Sequence, residues 1–318
     1  FINTSIVAGQ QVINPKKITQ TPLRINPNCT IPQNGMIISR SITLCPGTYN
    51  LINGIIIDTD NIAVTCDGTT LMGDYTPNSY GIQISQRNNV RIKGCTVKGY
   101  YEAIKIVGSK SIAISHNSMI NNQIGLSLLN STEVTVMENS FTENILDGIR
   151  LVNSLHNKIF DNRINNNKKY GISLISSDYN SLRKNAVRFN RNPGISLQDS
   201  MSNKIVHNIL EGNPSGMSLV FSYSNEIGKN TITNNGEGII LSFSGSNIIK
   251  DNRVSNNDGG GLALVFSSSF NELSGNIIEQ NKMDGILLRG NNHLVRPVNN
   301  RILKNTVINN NRGVSFES

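Results

Sequence analysis

Three side chains are candidates for binding an anionic group and moving a proton: Lys105, Arg150 and Tyr101. Abstraction of a proton from carbon beside a carboxylate needs a group that neutralises the carboxylate and a base that removes the proton. It often needs an acid for the leaving oxygen as well. A lysine, an arginine and a tyrosine can share those roles if the fold brings them onto one face. Asp147, Tyr100 and Arg87 lie close to them in the same pattern.

The elements that would position them are set by an internal repeat. A Gly-aliphatic-x-aliphatic tetrad recurs as GIQI at Gly81, AIKI at Ala103, GLSL at Gly125, GIRL at Gly148, and GISL at Gly171 and Gly194. It continues as GMSL at Gly216, GIIL at Gly238, GLAL at Gly261, GILL at Gly285 and GVSF at Gly313. From Gly81 to Gly285 successive tetrads are 22–24 residues apart, and the longer last step predicts a loop around RGNNHLVRPVNN. Each unit holds three short apolar/polar alternations separated by Ser, Asn and Gly, which is a strand pattern rather than a helical one. A leucine-rich repeat has a similar period but needs more leucines and a helical or 3₁₀ segment per unit, and neither is present.

One unit therefore makes one circuit of a three-sided coil, stacked on the next at about 4.8 Å. The predicted fold is all-β: a right-handed parallel β-helix of about twelve coils with an N-terminal cap. Residues 1–53 are expected to form an extension and cap, and 54–318 the repeat domain. The residue between the two aliphatics of each tetrad should point outward, giving the row Gln83, Lys105, Ser127, Arg150, Ser173, Ser196, Ser218, Ile240, Ala263, Leu287 and Ser315.

Asparagines recur in register. Asn117, Asn139, Asn162, Asn185, Asn208, Asn230, Asn252, Asn276 and Asn305 form one column, and a second runs from Asn157 to Asn300 after Ile112 and Val134. A third runs from Asn122 to Asn310. A primary amide donates and accepts at once, so a stacked column satisfies its own polar groups in an interior. Asparagine also tolerates the left-handed conformation of tight corners. Asn162, Asn185, Asn208, Asn230 and Asn252 are accordingly assigned to a structural ladder. His116 and His207 precede ladder positions in a column shared with Glu138, Asp161, Lys184, Lys229 and Asp251, a mixture that reads as a solvated face.

The repeat GI-x-L…NS…N-x-I…N-x-I…NN resembles the NosD-type repeats of the pectin-lyase-like β-helix superfamily over residues 54 to 316. SITLCPGTYNL followed by DNIAVTCDGTTLMG is similar to the entry segment of secreted archaeal and bacterial β-helix proteins. The resemblance implies fold and an extracytoplasmic setting, not a reaction. Motifs of its catalytic members are missing: no Asp-Pro-His-Asp, no Gly-His-Gly with paired aspartates, no acidic cluster for calcium. Copper, which the NosD name implies, finds no ligand cluster, and neither metal nor cofactor is expected.

The four cysteines agree with an oxidising compartment. Cys29 and Cys45 are read as a disulfide pinning the first coils; Cys66 and Cys95 are either a second bridge or a small buried pair. Beginning at Phe1, the chain fits a mature product whose signal peptide has been removed. Three sequons, at Asn3, Asn28 and Asn130, are compatible with a glycosylated surface protein. No apolar run is long enough to span a membrane.

Charge supplies the last clue. The formal net charge is +8, and Lys158, Arg163, Lys168, Lys169, Arg183, Lys184, Arg188 and Arg191 crowd the middle coils. At equivalent points they would make a basic strip for an acidic polysaccharide, and nucleic acid is not expected as a partner. In the last coils the outward row turns apolar at Val220, Ile240, Val265 and Leu287, beside Phe221, Phe243 and Phe266. Such a stripe, with the unpaired strand of GVSFES, suggests self-association through helix ends or the stripe itself. The reading favoured is a non-catalytic extracellular or cell-surface module, adhesive or filament-forming, that binds anionic polysaccharide. Its alternative is a polysaccharide lyase or C5-epimerase.

Overall fold

The computed structural model describes residues 28–291 and 295–317. Within them the chain winds as a parallel β-solenoid with three sheets and no helix. The first sheet runs from Met36–Ile38 to Arg312–Glu317 and has thirteen strands; the second, from Ile42–Leu44 to Arg301–Leu303, and the third, from Gly47–Asn50 to Thr306–Ile308, have twelve each. Every pairing joins a strand to its equivalent one coil away, always parallel. The sheets begin at Met36, before the boundary expected at residue 54, because Met36, Ile37 and Ile38 already pair with Ile55, Ile56 and Ile57.

Alternation along each strand fills the interior. Ile149, Leu151, Ile159 and Ile164 in one coil and Ile172, Leu174, Leu182 and Val187 in the next are all fully buried. At roughly 1.5–3 kcal/mol for each large aliphatic side chain, this stack is the main stabilising term. The repeated glycine is steric: a Cβ at Gly171 would strike the Val187 side chain and the backbone oxygen of Gly194.

The asparagine columns are buried ladders. Asn162 donates from its backbone N–H and from Nδ2 to Asn185 Oδ1, at 3.2 and 3.0 Å, and Nδ2 also reaches the Val136 and Phe160 carbonyls at 2.9 and 3.0 Å. Asn185, Asn208 and Asn230 repeat the contact to Asn208, Asn230 and Asn252. A serine column, Ser109 to Ser268, forms a fourth ladder in which each backbone N–H donates to the next coil's hydroxyl.

One expectation about the asparagines is corrected. The left-handed corner falls on the residue before each ladder position, not on the ladder asparagine: His116, Glu138, Asp161 and Lys184 have φ of 56, 56, 55 and 54°. Likewise Asn166, not Asn167, turns its corner, while Asn167 is fully buried. The mixed column that contains His116 and His207 is the exposed row of these corner residues.

Both cysteine pairs are disulfides, Cys29–Cys45 and Cys66–Cys95, with Cα separations of 4.9 and 4.8 Å. The sequon at Asn3 and His293 lie outside the described residues.

Candidate functional site on the first sheet

Register fixes which side chains share a face. Gln83, Lys105, Ser127, Arg150 and Ser173 are direct partners on successive strands of the first sheet, so Lys105 and Arg150 stand in one outward row two coils apart. At about 4.8 Å per coil their backbones are separated by roughly 10 Å. The residue just before each tetrad forms a second row along this face, and it holds acids: Glu102 and Asp147 next to these two bases.

Lys105 is clamped. Its Nζ lies 3.0 Å from the Tyr80 hydroxyl, 3.2 Å from Glu102 Oε2 and 4.1 Å from the centre of the Tyr80 ring. Burial of the ammonium works to lower its pKa, but the Tyr80 hydroxyl and the Glu102 carboxylate outweigh that and hold it above the ordinary lysine value. A lysine held charged in this way is suited to binding an anion rather than to accepting a proton.

Arg150 is fixed by the buried Asp147, whose Oδ2 takes Arg150 Nε at 2.7 Å and the Ser173 hydroxyl at 2.9 Å. These residues, with Lys169, Tyr170 and Gln198, line a cleft of about 190 Å³. Lys169 Nζ sits 5.2 Å from the centre of the Tyr170 ring. Tyr101 is half-buried in the turn before Glu102–Val107, and its backbone N–H donates to the Ser79 hydroxyl at 3.2 Å. Its neighbour Tyr100 is fully buried and donates to the Leu51 carbonyl at 2.7 Å, with burial raising its pKa above the ordinary phenol value.

The basic residues do not form one strip. Lys158 and Arg183 lie on the second sheet, Arg163 and Arg188 on the third, and Lys184 in the corner between them. Arg188 is paired with Glu211 at 2.9 Å, and the Arg183 guanidinium covers the Phe160 ring at 4.6 Å. Only Lys168, Lys169 and Arg191 gather, in the corner leading from the third sheet into the first. Lys168 and Arg191 occupy equivalent places there, their backbone N–H groups donating to Asn144 and Asn167 carbonyls. The residues fell apart because the repeat has three outward faces, and closeness in sequence does not select one of them.

The apolar stripe is also corrected. Ile240, Ala263 and Leu287 continue the Lys105 row, whereas Val220 and Val265 belong to the next row, paired through Ser242. Phe221, Phe243 and Phe266 stack at the adjoining corner with centroids 5.1 and 4.8 Å apart.

A second cleft on this sheet went unread in the sequence. Glu237, Asp284, Arg289, Arg312 and Glu317 surround about 200 Å³ over the floor of Ile240, Ala263 and Leu287. Its signal was available: Glu237 and Asp284 stand before their tetrads as Glu102 and Asp147 do.

With this geometry in place, the chain can be set beside known proteins. Its solenoid resembles the mannuronan C-5 epimerase AlgE4 A-module of Azotobacter vinelandii, with 15% identity, a TM-score of 0.69, and coverage of 88% of this chain and 91% of that one. It also resembles the Dettilon tailspike protein, at 13% identity and TM-score 0.62 over 82% and 62% of the two chains. A third is the DFA-IIIase of Arthrobacter chlorophenolicus A6 without its lid, at 12% and 0.59 over 80% and 74%. At such identities the likeness concerns the fold alone. Among curated proteins none matches.

Residues 28–230 match the family described as periplasmic copper-binding protein (NosD), and residues 175–318 match the right-handed β-helix region. The chain belongs to the NosD family.

The family description implies copper, and the side chains do not fit it. Among the described residues no three or more His, Cys, Asp or Glu side chains gather as a ligand set. All four cysteines are in disulfides. His116 pairs with Glu138, at 2.7 Å, and His156 is stacked on Tyr179.

Proposed function

We propose that this chain is a non-catalytic extracellular or cell-surface β-helix that holds an acidic polysaccharide against Lys168, Lys169, Arg191 and Arg150. The carrying observation is the state of Lys105, whose ammonium is held charged by Tyr80 and Glu102, so the row lacks a neutral amine to act as base. Arg150, anchored on Asp147, offers its remaining guanidinium donors to a carboxylate. Two disulfides and membership of a periplasmic family support an oxidising, extracytoplasmic setting.

Calorimetric titration with oligouronates at low and high salt tests this reading. Affinity should fall with salt, since charges are screened over about 10 Å at 0.1 M. The variant Lys168→Glu/Lys169→Glu/Arg191→Glu should lose at least about tenfold, or ~1.4 kcal/mol. Unchanged affinity in that variant, or release of unsaturated sugars absorbing in the near ultraviolet, would overturn it. Self-association is the second part of the proposal, favoured by the stacked phenylalanine ridge with Phe221 at 46% exposure. Light scattering that finds a monomer at every concentration removes that part.

A further inference from the structure

Four acids stand in the row before the tetrads on the first sheet: Glu102, Asp147, Glu237 and Asp284. Three of them hold a base. Glu102 and Asp147 each take the residue three positions on, Lys105 and Arg150, and Asp284 takes Arg312 of the following coil. At Glu237 the residue three positions on is Ile240. Among the described residues no lysine or arginine nitrogen lies within ion-pairing reach of the Glu237 carboxylate, whose Oε2 accepts a hydrogen bond from Gly260 N–H at 2.6 Å.

The surroundings are those of a binding cavity. A Cβ at Gly259 would collide with the Glu237 carboxylate, so the glycine there leaves room for it. Ile240, Ala263 and Leu287 give a half-buried apolar floor on three successive strands, roughly 10 Å long. The volume of about 200 Å³ is below the ~300–1,000 Å³ of drug-sized sites, so it suits one ring rather than an oligomer. Three carboxylates (Glu237, Asp284, Glu317) face two guanidiniums (Arg289, Arg312), leaving one negative charge in excess.

We propose that this cavity binds an organic cation with an apolar ring face, of the amine-bearing sugar class. Its ammonium takes at Glu237 the place that Lys105 and Arg150 take at Glu102 and Asp147. The flat floor favours a pyranose ring over the thin stem of a lysine side chain. Binding requires the ionised carboxylate. Burial raises the Glu237 pKa, the neighbouring Asp284 charge adds to that, and the Gly260 N–H and Arg289 oppose it. Affinity should therefore weaken as pH falls, sooner than for an exposed glutamate. The site lies four strands beyond Arg150 in the first sheet, and none of Lys168, Lys169 and Arg191 lines it, so it stands or falls apart from the polyanion reading.

The test is calorimetry on the full chain at about pH 6, above the ordinary glutamate range. Probes are a fully deacetylated glucosamine tetramer, its N-acetylated form, a uronate tetramer and a lysine tetramer. The deacetylated tetramer should bind at least tenfold tighter than the other three. Glu237→Gln, which can still accept from Gly260, should lose at least tenfold. Ile240→Arg, which supplies the internal partner seen at Asp147, should abolish binding while thermal unfolding stays close to that of the parent. Undiminished binding in either folded variant, or equal or tighter binding of any of the other three tetramers, overturns the proposal.

Discussion

The early coils and the later ones close the same three-sided interior by different means. In the later coils three asparagine columns cross every interface, accompanied by a serine column as far as Ser268. Up to about residue 134 the heads of those columns are other residues. Cys95 precedes Asn117 in the first column and its N–H donates to Asn117 Oδ1 at 2.9 Å; Val134 precedes Asn157 and Tyr100 precedes Asn122 in the same manner. Where the amide ladder is lacking, a disulfide from Cys66 to Cys95 ties neighbouring coils. A covalent tie stabilises mainly by restricting the unfolded chain. An amide rung acts in the folded state, one interface at a time, at a net ~0.5–1.5 kcal/mol per hydrogen bond.

The largest expected effect tests the ladder. Asn185→Asp removes the donor to Asn208 Oδ1 and to the Ile159 carbonyl and places a charge in a fully walled site, so it should cost about 3–5 kcal/mol at neutral pH. Burial would raise that new carboxyl's pKa, so the loss should shrink as pH falls and the protonated acid regains a donor. Urea midpoints at two pH values measure both, and a midpoint equal to the parent's at neutral pH would refute the ladder.

Next comes the staple. Cys66→Ser with Cys95→Ser should cost about 3 kcal/mol. In amide hydrogen exchange the lost protection should be confined to the coils before Asn117; a uniform loss along the solenoid would erase the contrast between the two regions. The smallest effect is Tyr100→Phe, which leaves the Leu51 carbonyl without its side-chain donor and should lower stability by about 1–2 kcal/mol. No change there would mean that the Tyr100 ring alone caps the third column.

Much of this was legible in the sequence because the repeat is strict. Period and alternation give the outward row, so the sequence alone sets Lys105 and Arg150 on one face. Primary amides in register announce their own ladder. The corners before the first column were not legible: His116, Glu138, Asp161 and Lys184 adopt the left-handed conformation although none is a glycine or asparagine, so residue type does not mark that position. Lys158 to Arg191 scattered because three faces alternate within each unit. Glu237 was missed because its meaning lies in an absent partner, visible only when its row is compared with Glu102, Asp147 and Asp284.

The ladder also has a mechanical consequence. Each asparagine Oδ1 accepts from the coil before it, while Nδ2 donates to the next coil's Oδ1 and to a carbonyl of the coil before, so contacts extend only to adjacent turns. Under tension such a molecule yields by successive peeling instead of one global rupture. Each 22–24-residue turn should release roughly 75–85 Å of slack. Extension should be halted at the turns bridged by Cys66 and Cys95, whose intervening chain cannot be drawn out while the bond is intact.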